Sequence, residues 1–190
     1  NRSAVTEIAV VGLGPGPFEL LTLDARAMLT SGDPVFWRTR HHPVIAQLEP
    51  DSSRPSFDDL EEPTGDSTPA EATIVDRLLG EAIGGAVVYA VTGHPCVGHP
   101  SVRLLLERAS GDDIPVRIVP GVSLIDAVAT ALEIDPVAAN LQIVDARALA
   151  DELRGELDLE VLMVTEVGAA LGVFTGPGAL GISWYAPPQP

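Results

Sequence analysis

An apolar run that ends in alternating glycine and proline is the feature that most constrains this chain. Ile8 to Val11 are all apolar, and Gly12-Leu13-Gly14-Pro15-Gly16-Pro17 follows directly. An unbroken run of this kind is typical of a buried parallel strand. Glycine permits positive φ and close approach to a ligand, whereas proline fixes φ, so the loop should be rigid. The segment therefore predicts a buried strand that ends at a ligand-binding loop or, more simply, at an ordinary glycine turn.

The loop lacks the marks of the two common phosphate-binding loops. Phe18 and Glu19 follow Gly16, where a dinucleotide fingerprint would place a third glycine at the start of its helix. The Gly-Lys-Ser/Thr of a P-loop is also missing from this segment. A polyphosphate ligand is therefore disfavoured here.

Two later strand-like runs end in loops of similar chemistry. Residues 86–91 lead into Thr92-Gly93-His94-Pro95-Cys96-Val97-Gly98, and residues 114–119 lead into Pro120-Gly121-Val122-Ser123. In an open parallel sheet, ligands bind beyond the carboxyl ends of the strands. We therefore expect the first two loops to border a single crevice.

Strand and helix patterns alternate along the chain, which predicts an α/β fold. Strands are predicted at 8–11, 34–37, 86–91, 114–119, 141–144, 159–164 and 180–185, and helices at 23–30, 42–48, 68–82, 101–109, 124–132 and 146–153. Thr22 and Ser123 are candidate helix caps, and Thr68 with Glu71 forms a capping box. Residues 49–67 are polar and contain proline, so a surface excursion without core residues is expected there.

Charge and cysteine content limit the classes of function. The chain has 190 residues, with 27 acidic residues against 11 arginines and no lysine, for a formal net charge of −16. Such a field opposes nucleic acid and anionic membranes. The lone Cys96 excludes an internal disulfide, suits a reducing cytosol, and is expected to be a small buried residue. No apolar run approaches a membrane span, so a cytoplasmic soluble protein is expected.

A cluster of basic residues is the local exception to this acidity. Arg38, Arg40, His41, His42 and Arg54 lie within a short span. The cluster is either a patch that binds a carboxylated substrate or, as the simpler interpretation, a solvated loop.

The histidines of the second loop invite two further interpretations. His94 and His99 are five residues apart without a third ligand in sight, so no metal site is predicted. His94 is a candidate general base, because the ordinary pKa of imidazole lies near neutrality.

The three loops in this order resemble those of the tetrapyrrole (corrin/porphyrin) methylase family. The resemblance rests on residues 11–16 with 19–22, on 89–95 with Gly98, and on 119–123. More narrowly, His94-Pro95, residues 40–44 and residues 56–60 resemble the methylase domain that is often fused to a MazG-type nucleotide pyrophosphohydrolase. In the wider family the second loop often reads Gly-Asp-Pro, and His94 stands where the Asp would be. The resemblance covers about residues 8–165.

This resemblance implies a two-domain fold, usually a homodimer, with S-adenosylmethionine bound between the domains. A parallel-sheet N-terminal domain would span residues 1–118 and a smaller, mixed-sheet C-terminal domain 119–190. The implied activity is methyl transfer to a tetrapyrrole or related small molecule, with His94 the weak catalytic candidate and Arg38, Arg40 and His41 toward the substrate. The implied cofactor residues are Pro15, Gly16, Gly93, His94, Val97, Gly98, Val122, Ser123 and Met163.

Other interpretations stay open at this point. Met163 is equally a core residue, and Ser123 equally a simple helix cap. The chain could be a non-catalytic, S-adenosylmethionine-binding regulatory module that works with a nucleotide pyrophosphohydrolase. A Rossmann-type oxidoreductase is a third hypothesis, based on the first glycine loop alone.

Overall fold

The strands form one parallel sheet in a computed structural model that describes residues 6–48, 54–60, 68–139, 141 and 143. Its strands are β1 (Ile8–Gly12), β2 (Val35–Trp37), β3 (Val87–Val91) and β4 (Val116–Val119). They are ordered β2-β3-β1-β4, and all three pairings are parallel. The α/β prediction is thereby confirmed, and the four predicted strands that lie fully within the described ranges are found where expected, three of them shortened at the start.

Within the described ranges, five α-helices connect and flank these strands. They are α1 (Leu23–Leu29), α2 (Pro43–Leu48), α3 (Thr68–Ala82), α4 (Pro100–Gly111) and α5 (Leu124–Leu132), with short 3-10 helices at Phe18–Leu20 and Asp58–Leu60. Two predicted caps are confirmed, since Thr22 Oγ1 accepts the N–H of Ala25 at 3.1 Å and Ser123 Oγ accepts that of Ile125 at 2.8 Å. None of the described helices is long and apolar enough to cross a bilayer.

The sheet is buried on both faces by different helices. Ala9 and Val11 of β1 pack with residues of α1 and α2, whereas Ile8 and Val10 pack with residues of α3 and α4. The chain therefore leaves β1 toward one face, to α1, and leaves the neighbouring β3 toward the opposite face, to α4. Adjacent strands whose connections depart in opposite directions define a topological switch point, where the sheet edge opens into a crevice.

Phe57 belongs to the core, although the sequence predicted only a surface excursion there. Its side chain is 1% exposed and stacks on Phe36 at 6.1 Å between ring centroids. The N–H of Phe57 donates to the carbonyl of Trp37 at 3.1 Å, so this segment pairs with the edge of β2. The prediction was wrong because a single aromatic residue among polar neighbours produces no periodic signal.

The structure tests only part of what was predicted for the C-terminal third. Leu141 and Ile143 are exposed and in no strand, so the predicted strand 141–144 is wrong at these residues; no described strand offers them a partner backbone. The strands at 159–164 and 180–185 and the helix at 146–153 lie outside the described residues. A first compact unit ends at Ala127 and a second begins at Val128, and the domain boundary at 118/119 stays a prediction.

Phe57→Ala should destabilise the protein by about 3–5 kcal/mol, because it leaves a cavity between Phe36 and Tyr89. Urea unfolding followed by circular dichroism measures the change in the free energy of unfolding. Ile83→Ala, at a side chain that is 79% exposed, is the control and should change that free energy by less than about 0.5 kcal/mol. Equal effects of the two substitutions would contradict the core assignment.

Candidate functional site

Loop 1 (residues 13–17) and loop 2 (residues 92–98) are joined by main-chain hydrogen bonds. The N–H of Leu13 donates to the carbonyl of Val91 at 2.8 Å. Gly14 and Gly93 exchange two bonds, from Gly14 N to Gly93 O at 3.2 Å and from Gly93 N to Gly14 O at 2.8 Å. The loops after β1 and β3 therefore meet at the switch point, as the sequence predicted.

Loop 3 (residues 120–123) packs against the same junction through glycine. A Cβ on Gly12 would lie 2.5 Å from the carbonyl oxygen of Gly93 and 2.6 Å from the nitrogen of Gly121. Real Cβ atoms essentially never come so close to backbone, so only glycine fits. Thr22, at the start of α1, also donates from Oγ1 to the carbonyl of Pro120 at 3.2 Å. All three loops thus form one continuous edge.

Other glycines of loops 1 and 2 face open space instead. Gly16, Gly93 and Gly98 have φ values of 144°, 60° and 74°. A Cβ at any of these three would have no neighbour within 4 Å beyond the adjacent residues. Gly98 is exposed, Gly93 is half-buried and Gly16 is buried. A ligand can therefore approach the backbone closely at Gly93 and Gly98. The predicted cofactor residues beside these glycines are Pro15, Val97, Val122 and Ser123. Met163 lies outside the described residues.

His94 is half-buried, and one of its ring nitrogens is occupied within loop 2. Its Nδ1 accepts the N–H of Cys96 at 3.1 Å. Because this bond needs the Nδ1 lone pair, a neutral ring carries its proton on Nε2. The arrangement favours His94 as a hydrogen-bond donor over the predicted general base. Cys96 itself is exposed, so its prediction as buried was wrong: the turn directs its N–H to His94.

His42 and His99 hold the loops through their imidazoles, a role that the sequence did not reveal. His42 Nε2 lies 3.1 Å from the carbonyl oxygen of Gly14, and His99 Nε2 lies 2.6 Å from that of Thr92. Carbonyls only accept, so both nitrogens donate. Burial lowers the pKa of both rings, although each carbonyl bond opposes the shift. Among the described residues, no group of three or more His, Cys, Asp or Glu could hold a metal ion.

The basic cluster is divided, and one of its arginines forms an ion pair. Arg38 pairs with Glu71 at 3.5 Å, and Glu71 is buried. Glu71 was predicted to complete a capping box with Thr68, whose side chain is not among those described, so the box stays a prediction. The carboxylate of Asp58 accepts the main-chain N–H of Arg40 at 3.0 Å. A cavity of about 520 Å³ has as its described lining Arg40, His41, Pro55, Ser56, Asp58, Asp59 and Arg77, without Arg38.

The sheet and its loops define an α/β protein in which three loops meet at a topological switch point. The model for Tetrapyrrole (Corrin/Porphyrin) Methylases matches residues 7–178. The chain belongs to the tetrapyrrole (corrin/porphyrin) methylase family. This membership leaves the hypothesis of a Rossmann-type oxidoreductase without support.

A curated relative matches most of this chain but is much longer. The YabN protein of Bacillus subtilis (strain 168), itself uncharacterized, is 40% identical over 149 residues, which is 77% of this chain and 30% of YabN. The chain thus spans less than a third of the length of this relative. The comparisons do not support the narrower resemblance to methylase domains fused to a MazG-type enzyme.

Two solved structures share the fold at low identity. The cobalt precorrin-4 methyltransferase CbiF matches with a TM-score of 0.52 and 22% identity over 76% of this chain and 56% of its own. A protein of Corynebacterium diphtheriae described as related to cobalamin synthesis, CobF, matches with a TM-score of 0.53 and 19% identity over 76% of this chain and 66% of its own. At these identities the likeness shows the fold alone.

Gly12→Ala should destabilise the protein strongly, because its Cβ would meet the backbone of both Gly93 and Gly121. We expect a loss of about 2 kcal/mol or more in the free energy of unfolding, from overpacking that no side chain can relieve. Gly80→Ala, in the interior of α3 with open space around it, is the matched control and should be neutral or stabilising. Chemical unfolding measures the free energy of unfolding of both variants. Equal values would contradict the close contact among the three glycines.

The lowered pKa values of His42 and His99 predict a loss of stability in acid. The folded state favours the neutral rings, so the unfolded state binds more protons as the pH falls below the ordinary histidine pKa of about 6.5. Their contribution is full above that pH and is lost as the pH falls through the lowered folded-state values. The free energy of unfolding, measured between pH 7.5 and 5.5, should fall less in a double variant that carries His42→Gln and His99→Gln than in the parent. Parallel profiles would contradict the assignment.

Proposed function

We propose that this protein is an S-adenosylmethionine-dependent methyltransferase that acts on a tetrapyrrole or related small molecule. The cofactor would bind at the open edge formed by loops 1 to 3. One observation carries the proposal: glycine backbone faces open space at the β1–β3 switch point, in a chain that belongs to a methylase family.

The chemistry of the cofactor suits such an edge. S-adenosylmethionine carries a carboxylate, an ammonium group and an adenine, which backbone N–H and C=O groups can bind without charged side chains. In the transfer, the methyl carbon bonds to the acceptor's nucleophilic atom while its bond to sulfur breaks. The sulfur keeps that electron pair and leaves as a neutral thioether. Such a displacement depends mainly on alignment and exclusion of water, which rigid loops provide.

The residues divide into roles under this proposal. Pro15 and Gly16 would shape the floor, and Gly93, Val97 and Gly98 would meet the amino-acid end of the cofactor. His94 would direct its Nε2 proton toward the cofactor carboxylate, which agrees with the occupied Nδ1. The remaining predicted contacts are Val122 and Ser123 near the ribose and Met163 near adenine.

The acceptor is proposed only as a class. Tetrapyrrole precursors carry many carboxylates, and the chain's net charge of −16 opposes them at long range. Arg38, Arg40 and His41 would have to offset this. Glu71 pairs with Arg38, however, and the Asp58 carboxylate accepts the main-chain N–H of Arg40. A tetrapyrrole or related molecule with fewer free carboxylates fits this balance better than a highly acidic one.

The single cysteine provides a direct test of where the cofactor binds. Cys96 is exposed within loop 2, so alkylation by iodoacetamide, read by mass spectrometry, reports on access to that loop. Calorimetric titration with S-adenosylmethionine and with NAD, run beside it, should show binding of the first only. S-adenosylmethionine should also slow alkylation of Cys96. Binding of NAD alone would overturn the proposal, and cofactor binding with unchanged alkylation would move the site away from loop 2.

Gly93→Val should abolish binding of S-adenosylmethionine, because a branched side chain would fill the space where backbone meets ligand. Positive φ at Gly93 adds a strain of about 1–2 kcal/mol, so a modest fall in melting temperature is expected, without unfolding. Calorimetry and thermal melting separate the two effects. Retained affinity in a folded variant would remove Gly93 from the site.

The alternative is a regulatory module that binds the cofactor without turnover and works with a nucleotide pyrophosphohydrolase. The match to only 30% of YabN favours considering it, because the chain corresponds to one part of a longer relative. Incubation with methyl-labelled S-adenosylmethionine and a panel of tetrapyrroles distinguishes the two functions. Label transfer supports the methyltransferase, whereas tight binding without transfer to any of them favours the module.

A further inference from the structure

Loop 1 needs contacts with other segments to hold its conformation, because its glycines restrict their own φ and ψ angles very little. Gly14 has φ of 79°, and its carbonyl oxygen accepts two hydrogen bonds, from Gly93 N–H at 2.8 Å and from His42 Nε2 at 3.1 Å. We propose that His42 is a positioning residue that holds this carbonyl where loops 1 and 2 join. Its effect on cofactor affinity rests on the function proposed above.

The surroundings of His42 leave its ring one arrangement. The side chain is buried, with 7% exposed, and Nδ1 accepts the N–H of Val44 at 3.3 Å. Since that bond occupies the Nδ1 lone pair, the neutral ring must carry its proton on Nε2. Both nitrogens are thereby used, one toward α2 and one toward loop 1.

The anchor on the α2 side is itself fixed. The carbonyl of His42 accepts the N–H of Ile45 at 3.0 Å, so His42 occupies the position before the first turn of α2. Val44 and Ile45 are buried in the same apolar cluster as residues of α1 and of the sheet. Because α2 cannot shift without disturbing these contacts, the imidazole transmits a rigid core position to Gly14.

Two substitutions separate the two nitrogens of His42. The side-chain oxygen of Asn lies near the place of Nδ1, so His42→Asn keeps an acceptor for Val44 but removes the donor to Gly14. The amide nitrogen of Gln reaches about as far as Nε2, so His42→Gln keeps that donor. Gln47→Asn, at an exposed residue of α2, is the control.

The test uses two independent readouts on the full chain. Amide hydrogen exchange, measured by NMR, follows the Gly93 N–H that bonds to Gly14. Calorimetry with S-adenosylhomocysteine follows the cofactor site. His42→Asn should speed exchange at Gly93 and weaken affinity about tenfold, the size expected for one buried hydrogen bond. His42→Gln and the control Gln47→Asn should stay near the parent.

The outcomes distinguish this inference from the proposed function. If the parent fails to bind S-adenosylhomocysteine, the function fails, while exchange at Gly93 still tests His42. Unchanged exchange in a folded His42→Asn would overturn the inference. If His42→Asn does not fold, His42→Gln decides: parent-like exchange supports the Nε2 contact, and faster exchange overturns it.

Discussion

The contact among Gly12, Gly93 and Gly121 is the constraint on which the carboxyl edge of the sheet depends. These residues lie at or just beyond the carboxyl ends of three adjacent strands, and a Cβ on Gly12 or Gly121 would collide with main-chain atoms of the others. Their lack of side chains lets three loops meet backbone to backbone. This close approach allows Gly14 to bond to Gly93, and Thr22 to bond to Pro120. The glycines that face open space lie in the loops that this packing holds together.

The sequence predicted the parts of the fold that local patterns encode. Continuous apolar runs revealed β1 and β3, and the caps at Thr22 and Ser123 located the starts of α1 and α5. The meeting of loops 1 and 2 followed from a general rule of parallel sheets. Each of these inferences needed only neighbouring residues or one topological rule.

Three of the missed features depend on partners distant in the chain. Phe57 is buried because β2 offers it an edge, and Glu71 is buried where it meets Arg38. His42 looked like part of a basic cluster because nothing local indicates that its ring reaches Gly14. Glutamate is mostly exposed in proteins and histidine is intermediate, so the burial of either cannot be inferred from a single sequence without knowing what it meets. The partners of the charged and polar side chains at the site could therefore be identified only from the structure.

The position of β1 has a consequence for how the protein is made. This strand is synthesised before the other described strands, yet it lies in the interior of the sheet and pairs with β3 and β4, which begin at Val87 and Val116. Both of its edges stay unpaired until those distant segments have been synthesised. Loop closures of this length slow folding and leave apolar strand edges available for wrong pairing. The same central placement that brings the three loops together thus makes the nascent chain dependent on its later strands for protection against aggregation.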